Sequence, residues 1–402
     1  MKTQKFHALL VTILLVTACS QTPTDQQTPE DSEVTTKVSQ PLGQDQPGET
    51  GDLLEPGNFT GLPLTIPEGM RLDYLVEDLS GARDIEGPDA QGNYWVSRMR
   101  NGVISKIELD GEGNASQVDH VFKGLNQPHG LAFDPQNPSL LYYAEVDKVS
   151  KVDISGEFLP KKLIDLPREG RHFTRSLLFG RDDRLYISIG SSCDVCEEKD
   201  ERYATIYSMG KDGSDFKLEA QGLRNAVFMA TNPITGDIWV TEMGRDRLGD
   251  DLPPDEINIL GQGDHYGWPY CYGQNVKDEE FKNEEGCEDK IPSYIDLQAH
   301  SAPLGLAFVP EEGWPEAYWN DLLVAYHGSW NRTVPTGYKI MHIELDDEGN
   351  EVSRGAFVEG WLAENGDVFG RPVDVEVLPG GTMYITDDHK GAVYRLRWMG
   401  ES

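Results

Sequence analysis

Histidine and arginine recur in this chain at matching points of a repeating pattern. They occur in Asn126-Gln127-Pro128-His129, Arg171-His172-Phe173-Thr174-Arg175, Arg224-Asn225 and Glu242-Met243-Gly244-Arg245-Asp246, then at His300, His327, Trp330-Asn331-Arg332 and Gly370-Arg371. A neutral imidazole is basic near neutral pH and can take a proton from a hydroxyl group. A guanidinium offers a rigid fork of donors to carboxylates and can stabilise negative charge as it develops. Arg175, Arg224, Arg245, Arg332 and Arg371 gathered within so acidic a chain point to an anionic ligand.

The elements that must position these residues are hairpins. The most complete lies within Gln221 to Leu260: a strand through Ala226 and Phe228, a turn at Asn232-Pro233-Ile234-Thr235-Gly236-Asp237, and a returning strand Ile238-Trp239-Val240-Thr241. Arg224-Asn225 precede it and Glu242 to Asp246 follow it, so both polar groups leave the hairpin at one end. Related copies span Asp84–Arg98, Gly130–Glu145, Ser176–Ser191, Gly305–His327 and Val373–Asp387. Their spacing is about 45 to 50 residues, stretched later by insertions, which is the period of propeller blades. One small sheet cannot hide both its faces, whereas a closed ring of six buries each face against a neighbour. The chain is therefore expected to be all-β, a six-bladed propeller over residues 63–400. Residues flanking the hairpins then converge on one axial mouth. The stretch 262–298 reads as a loop excursion from the ring.

Lys plus Arg number 35 against 69 Asp plus Glu, a net charge of −34, which excludes nucleic acid and a charge-driven hold on an anionic membrane. Residues 1–19 carry Lys2 and Lys5, an apolar run from Ala8 to Val16, then Ala18-Cys19. The run is too short to span a bilayer. Val16-Thr17-Ala18-Cys19 resembles a bacterial lipobox, which implies cleavage before Cys19, a lipid on its thiol, and an extracytoplasmic protein held to the membrane by that anchor alone. Residues 20–62 are rich in Gln, Thr, Pro, Asp and Glu and read as an unfolded tether. Cys193, Cys196, Cys271 and Cys287 remain, an even number in an exported chain, and read as two local disulfides.

The motifs HFTRSLLFGRDDRLYISIG, GLRNAVFMATNPITGDIWVTEMGRD, GDDLPPDEIN, GDHYGWP, LLVAYHGSWNR and GRPVDVEVLPGG occur in an order that resembles the PQQ-dependent sugar dehydrogenases of the soluble glucose dehydrogenase and sorbosone dehydrogenase type. The resemblance runs from about residue 65 to 398. It implies a six-bladed propeller that binds pyrroloquinoline quinone (PQQ) and Ca²⁺ at one end of the channel. It implies hydride transfer from a sugar to the quinone, with electrons then passing to an external acceptor. His172 matches the general base, and Arg224 with Asn225 match the pair that contacts the cofactor. The carbonyls of Gly244 and Arg245 match the calcium turn, and Arg371 matches a grip on a cofactor carboxylate. His129, Arg175, His327 and Arg332 take family-like positions as cofactor or substrate contacts.

Two departures bear on the substrate. Ser191 stands where glucose-oxidising members carry an Asp facing the catalytic histidine, and the segment HGSWNR replaces a family lysine. Both lean toward the sorbosone dehydrogenase branch. Two other functions use the same scaffold: a Ca²⁺-dependent hydrolase such as a lactonase, which would need inward Glu, Asp and Asn ligands on several blades, and a sugar-binding propeller without turnover.

Overall fold

In each repeat, the start of the first strand pairs with the end of the second, which brings the flanking polar residues to one end of the hairpin. Ala226 pairs with Glu242 and Thr231 with Ile238. The turn between them is closed by Asn232, whose Oδ1 accepts the Ile234 and Thr235 N–H groups at 2.9 and 3.1 Å. Gly236 there has φ 85°, a left-handed conformation that a side chain would oppose.

The structure is a computed structural model and describes residues 55–283 and 286–400. The leader, Cys19 and the tether as far as residue 54 lie outside the described residues. The described chain forms six blades. Blade one is Ala82–Glu86, Tyr94–Arg98, Val103–Leu109 and Ala115–Lys123. Blade two is Leu131–Asp134, Asn137–Glu145, Lys148–Asp153 and Lys161–Asp165. Blade three is Leu177–Phe179, Leu185–Ile189, Thr205–Met209 and Lys217–Gln221. Blade four is Ala226–Thr231, Ile238–Glu242, Asp255–Ile259 and Ile295–Leu297. Blade five is Pro303–Phe308, Leu322–Tyr326, Lys339–Leu345 and Glu351–Val358. Blade six is Pro372–Leu378, Thr382–Asp387 and Ala392–Trp398, completed on its outside by Met70–Val76 from the start of the folded chain. That last pairing locks the ring, because opening it would break a sheet between the two ends of the domain.

Alternating side chains send one apolar face of each blade into its neighbour, and one buried cluster forms at every blade–blade interface. Trp95 packs between blades one and two, Tyr142 with Leu185 between two and three, Ile206 with Val240 between three and four. Trp239 with Leu322, Leu323 with Met383, and Val76 with Ile85 fill the other three. The core is thus distributed around the ring, leaving the axis free for polar groups.

The first strands of blades one, four, five and six each carry a register shift near the mouth, as between Ala226 and Met229. An extra residue there bends the strand and re-aims the side chains just before it. The excursion after Leu260 crosses to blade three, where Asp264–His265 pairs parallel with Ala220 and Gln221, and is closed by the Cys271–Cys287 disulfide. Cys193 and Cys196 form the second disulfide. The sheet also takes in Gly57–Asn58, inside the stretch read as tether, as a parallel edge strand on Arg71 and Leu72. Asn58 fixes that edge by donating to the Leu62 and Leu64 carbonyls at 2.8 and 3.0 Å, an ordering that composition alone did not show.

Candidate active site

His172 stands just before the first strand of blade three, its ring against the end of the second strand. Its Nδ1 lies 2.8 Å from Ser191 Oγ and 3.1 Å from the Ser191 carbonyl. The Ser191 hydroxyl gives its own hydrogen to the Cys193 carbonyl at 2.6 Å, so it accepts from His172 and the imidazole proton resides on Nδ1. Nε2 is left with its lone pair. Burial, helped by the Arg224 and Arg171 charges, lowers the pKa of His172 to about 3. The ring is therefore neutral across ordinary pH, with its Nε2 lone pair free and its proton affinity reduced by the same burial.

Arg224, before the first strand of blade four, is 3% exposed. Its Nε donates to the Asp194 carbonyl at 2.9 Å, its Nη2 to Asp194 Oδ1 at 2.7 Å and its Nη1 to the Met243 carbonyl at 3.0 Å. Burial works against the Asp194 carboxylate, yet the Asp246 N–H and the Arg224 charge overcome it and hold that group below the usual carboxylate range. Asp246 accepts from Arg171 and from Asn331 Nδ2, tying blades three, four and five together. The neighbouring Asn225 donates its N–H to Glu242, while its buried Oδ1 has no partner among the described residues. Gly190 brings this amide to the imidazole: a Cβ on Gly190 would lie 2.5 Å from Asn225 Oδ1 and 2.7 Å from His172 Cβ.

The turn after blade four's second strand is held from below. Gly244 N–H donates to Asp255 Oδ1 at 2.9 Å, and a Cβ on Gly244 would meet the Pro254 carbonyl at 2.7 Å, so only glycine packs there. The Arg245 side chain turns outward to Asp278 and Glu280 at 2.8 and 3.1 Å. The carbonyls of Gly244 and Arg245 accept no hydrogen bond from any described residue. An unpartnered amide oxygen, a buried guanidinium and two uncommitted carbonyls, all flanking the first two strands of blade four, fit an anionic quinone with a hard cation. Arg224, Asn225 and His172 would face the first, and the Gly244–Arg245 carbonyls the second.

A second group lies at the same end of the ring on blades five and six. His327 Nε2 is 2.9 Å from Asp388 Oδ1, and Arg371 donates to the His327 and Gly328 carbonyls at 3.0 and 2.6 Å. Burial outweighs the carboxylate and lowers the pKa of His327 to about 4, so the neutral ring donates to Asp388.

The remaining expected residues are committed elsewhere. His129 is fully buried in the channel wall, with Nε2 accepting from Arg83 and Nδ1 on Ser176 Oγ. Arg175 is equally buried and donates to the Val146, Thr174 and Pro167 carbonyls, which makes it part of the wall between blades two and three. Arg332 ties the loop after blade five to the Asp250 and Ala299 carbonyls. The expected positive surplus at the mouth is thus largely matched, by Asp194 and Asp246 for Arg224, and by Asp278 and Glu280 for Arg245. Asp246 stood in the polar cluster after the blade-four hairpin without an assigned role, and Asp194 was not singled out in the sequence. The signal for Asp194 was its place inside the Cys193–Cys196 pair, beside the position where the family's Asp is missing.

Comparison with known proteins agrees with this architecture. The TrAA12-like family profile matches residues 64–399. An uncharacterized protein of Borreliella burgdorferi is 36% identical over 353 residues, covering 83% of this chain and 90% of that one. Among solved structures, the PQQ domain of Coprinopsis cinerea pyranose dehydrogenase in its holo form superposes with a TM-score of 0.71 at 20% identity, over 85% of this chain and 99% of that one. The calcium structure of the Trichoderma reesei family AA12 enzyme superposes with a TM-score of 0.73 at 19% identity, over 87% and 99%. The motif resemblance and the six-bladed ring are both borne out, and this chain belongs to the TrAA12-like family.

Proposed function

We propose that this protein oxidises a sugar, an aldose or sugar-derived aldehyde such as sorbosone, using PQQ and Ca²⁺ at the mouth formed by blades three and four. The observation that carries this reading is the hydrogen bonding of His172: Nδ1–H is committed to Ser191, leaving Nε2 uncapped on a ring that packs with Asn225 around Gly190 and feels the Arg224 charge. PQQ, when bound, supplies a two-electron acceptor, and Ca²⁺ supplies a Lewis acid. The protein's part is to take the proton of the sugar hydroxyl on His172 Nε2 while the carbon-bound hydrogen leaves as hydride. Arg224, held rigidly by Asp194 and Met243, offers its charge to oxygen that gains electron density in that step. Ser191 does for the imidazole what a carboxylate does in glucose-oxidising relatives, fixing the ring without adding charge. Asp388 orients His327 and, with Arg371, frames the far wall of the mouth for cofactor or substrate. Electrons then leave to an external acceptor. A lipid on Cys19 would hold the enzyme to an extracytoplasmic membrane face, a setting that suits two disulfides.

The test is to add PQQ and Ca²⁺ to the purified protein and follow the cofactor's absorbance against a panel of sugars and a lactone. Sugar-dependent reduction, lost in His172→Ala, is the expected result. Lactone turnover without PQQ would transfer the site to the hydrolases, and sugar binding without turnover would make the protein a binding module.

A further inference from the structure

The loop after blade three's second strand is stapled twice within eight residues. Ser192 donates its N–H and its hydroxyl to the two Glu198 oxygens, both at 2.6 Å, and the Cys193–Cys196 disulfide closes the turn between them. Two contacts leave this loop for the site. The Cys193 carbonyl takes the Ser191 hydroxyl hydrogen at 2.6 Å, which is what obliges Ser191 to accept from His172. Asp194 takes both Nε and Nη2 of Arg224, through its carbonyl and its carboxylate respectively, so a single residue fixes the plane of the guanidinium. The same carboxylate oxygen accepts the Asp246 N–H at 3.1 Å, and the same carbonyl accepts the Trp268 indole N–H at 3.3 Å. We propose that the disulfide-closed loop is the positioning element of the site, and that Asp194 is the residue through which it sets Arg224. A guanidinium free to rotate would donate along many directions, whereas one gripped on two adjacent nitrogens and a third by Met243 aims its remaining hydrogens one way. The disulfide keeps the Asp194 carbonyl and carboxylate on the same side.

This inference rests on the proposed function for its kinetic consequences but not for its geometry, and its test separates the two. Asp194→Ala, Asp194→Asn and the pair Cys193→Ser/Cys196→Ser are compared with the intact chain. In Asp194→Ala, kcat and PQQ affinity, read by titration of tryptophan fluorescence, fall about 10- to 100-fold, while the sugar KM stays within about twofold. Asp194→Asn keeps an accepting oxygen without the charge and recovers part of the loss. The serine pair moves in the same direction as Asp194→Ala by a smaller factor. A crystal structure of cofactor-free Asp194→Ala shows the Arg224 guanidinium turned away from the Met243 carbonyl. If Arg224 keeps its place in that crystal, or if PQQ affinity and kcat are unchanged, Asp194 does not position it. A wild-type protein that binds no PQQ defeats the functional reading alone, and the crystal still decides the role of Asp194. Wild-type kinetics in the serine pair would remove the disulfide from the account.

Discussion

The two ends of the axial channel deal with buried charge in opposite ways. At the mouth, Arg224 and Arg171 meet Asp194 and Asp246 as ion pairs; the Asp246 N–H and the Arg224 charge hold the Asp194 carboxyl below the usual range, while burial raises that of Asp246 against the pull of the arginines. At the other end, Asp84 and Glu86 of blade one and Asp374 and Glu376 of blade six line a cavity of about 290 Å³ with no Lys or Arg among its lining residues, the nearby Arg83 charge opposing the effect of burial on Asp84 and Asp374 without overcoming it. Burial raises Glu86 to about 7 and Asp374 to about 6, and pushes Asp84 and Glu376 well above the carboxylate range. These carboxyls instead sew the ring together through backbone N–H groups of the next blade: Asp374 accepts from Ile85, Asp84 from Leu131 and Glu86 from Phe133. Pairing preserves charged donors that a ligand can use, whereas protonation removes charge and leaves a structural contact.

That contrast can be broken from either side. The largest effect is expected at the base: His172→Ala lowers sugar-dependent reduction about 10²- to 10⁴-fold with PQQ still bound, while Glu86→Gln leaves the rate unchanged. A rate that falls equally in both would erase the distinction between the ends. Next, Arg224→Leu strands Asp194 and Asp246 and costs about 3–5 kcal/mol in chemical denaturation. A cost near zero would mean the mouth pairs contribute no more than surface ones. Gly190→Ala drives a methyl between Asn225 and His172, and the displacement lowers kcat about 10²-fold with a small change in melting temperature. Wild-type kinetics there would show that the amide and imidazole need not be neighbours.

The smallest effects are on stability against pH, and their signs differ between the ends. Glu86 has its folded pKa raised from 4.5 to about 7, so its contribution is full below 4.5 and is lost as pH rises through about 7. Glu86→Gln cannot ionise, and its advantage over wild type should grow across that window to on the order of 1–3 kcal/mol. His172 has its folded pKa lowered from 6.5 to about 3, so the unfolded chain takes up the proton first and stability is lost as pH falls below 6.5. His172→Gln should therefore gain on wild type toward acid, the opposite slope. Parallel slopes in the two variants would refute the assignment of paired and protonated ends.

The ring was legible in the sequence because each blade repeats a hairpin with its own turn signal, as Asn232 to Asp237 shows. Arg224-Asn225 and Gly244-Arg245 were legible for a related reason: residues flanking one hairpin must emerge together. What the sequence hid was side-chain commitment. Arg175 and Arg224 are the same residue type at equivalent points of adjacent repeats, yet the first donates to three wall carbonyls and the second reaches the mouth. Which carbonyls stand opposite depends on the packing of neighbouring blades, and no local pattern encodes that. Asp194 was hidden for the same reason, since its partner lies 30 residues away on another blade. The far-end carboxyls carry no local signal, because period-two alternation cannot tell an axis-facing acid from a solvent-facing one.

The most direct measurement is a crystal structure of the protein soaked with PQQ and Ca²⁺. The account predicts the ion against the Gly244 and Arg245 carbonyls, with the quinone beside Arg224, Asn225 and His172 Nε2. An ion found instead among Asp84, Glu86, Asp374 and Glu376, with the mouth empty, would contradict it.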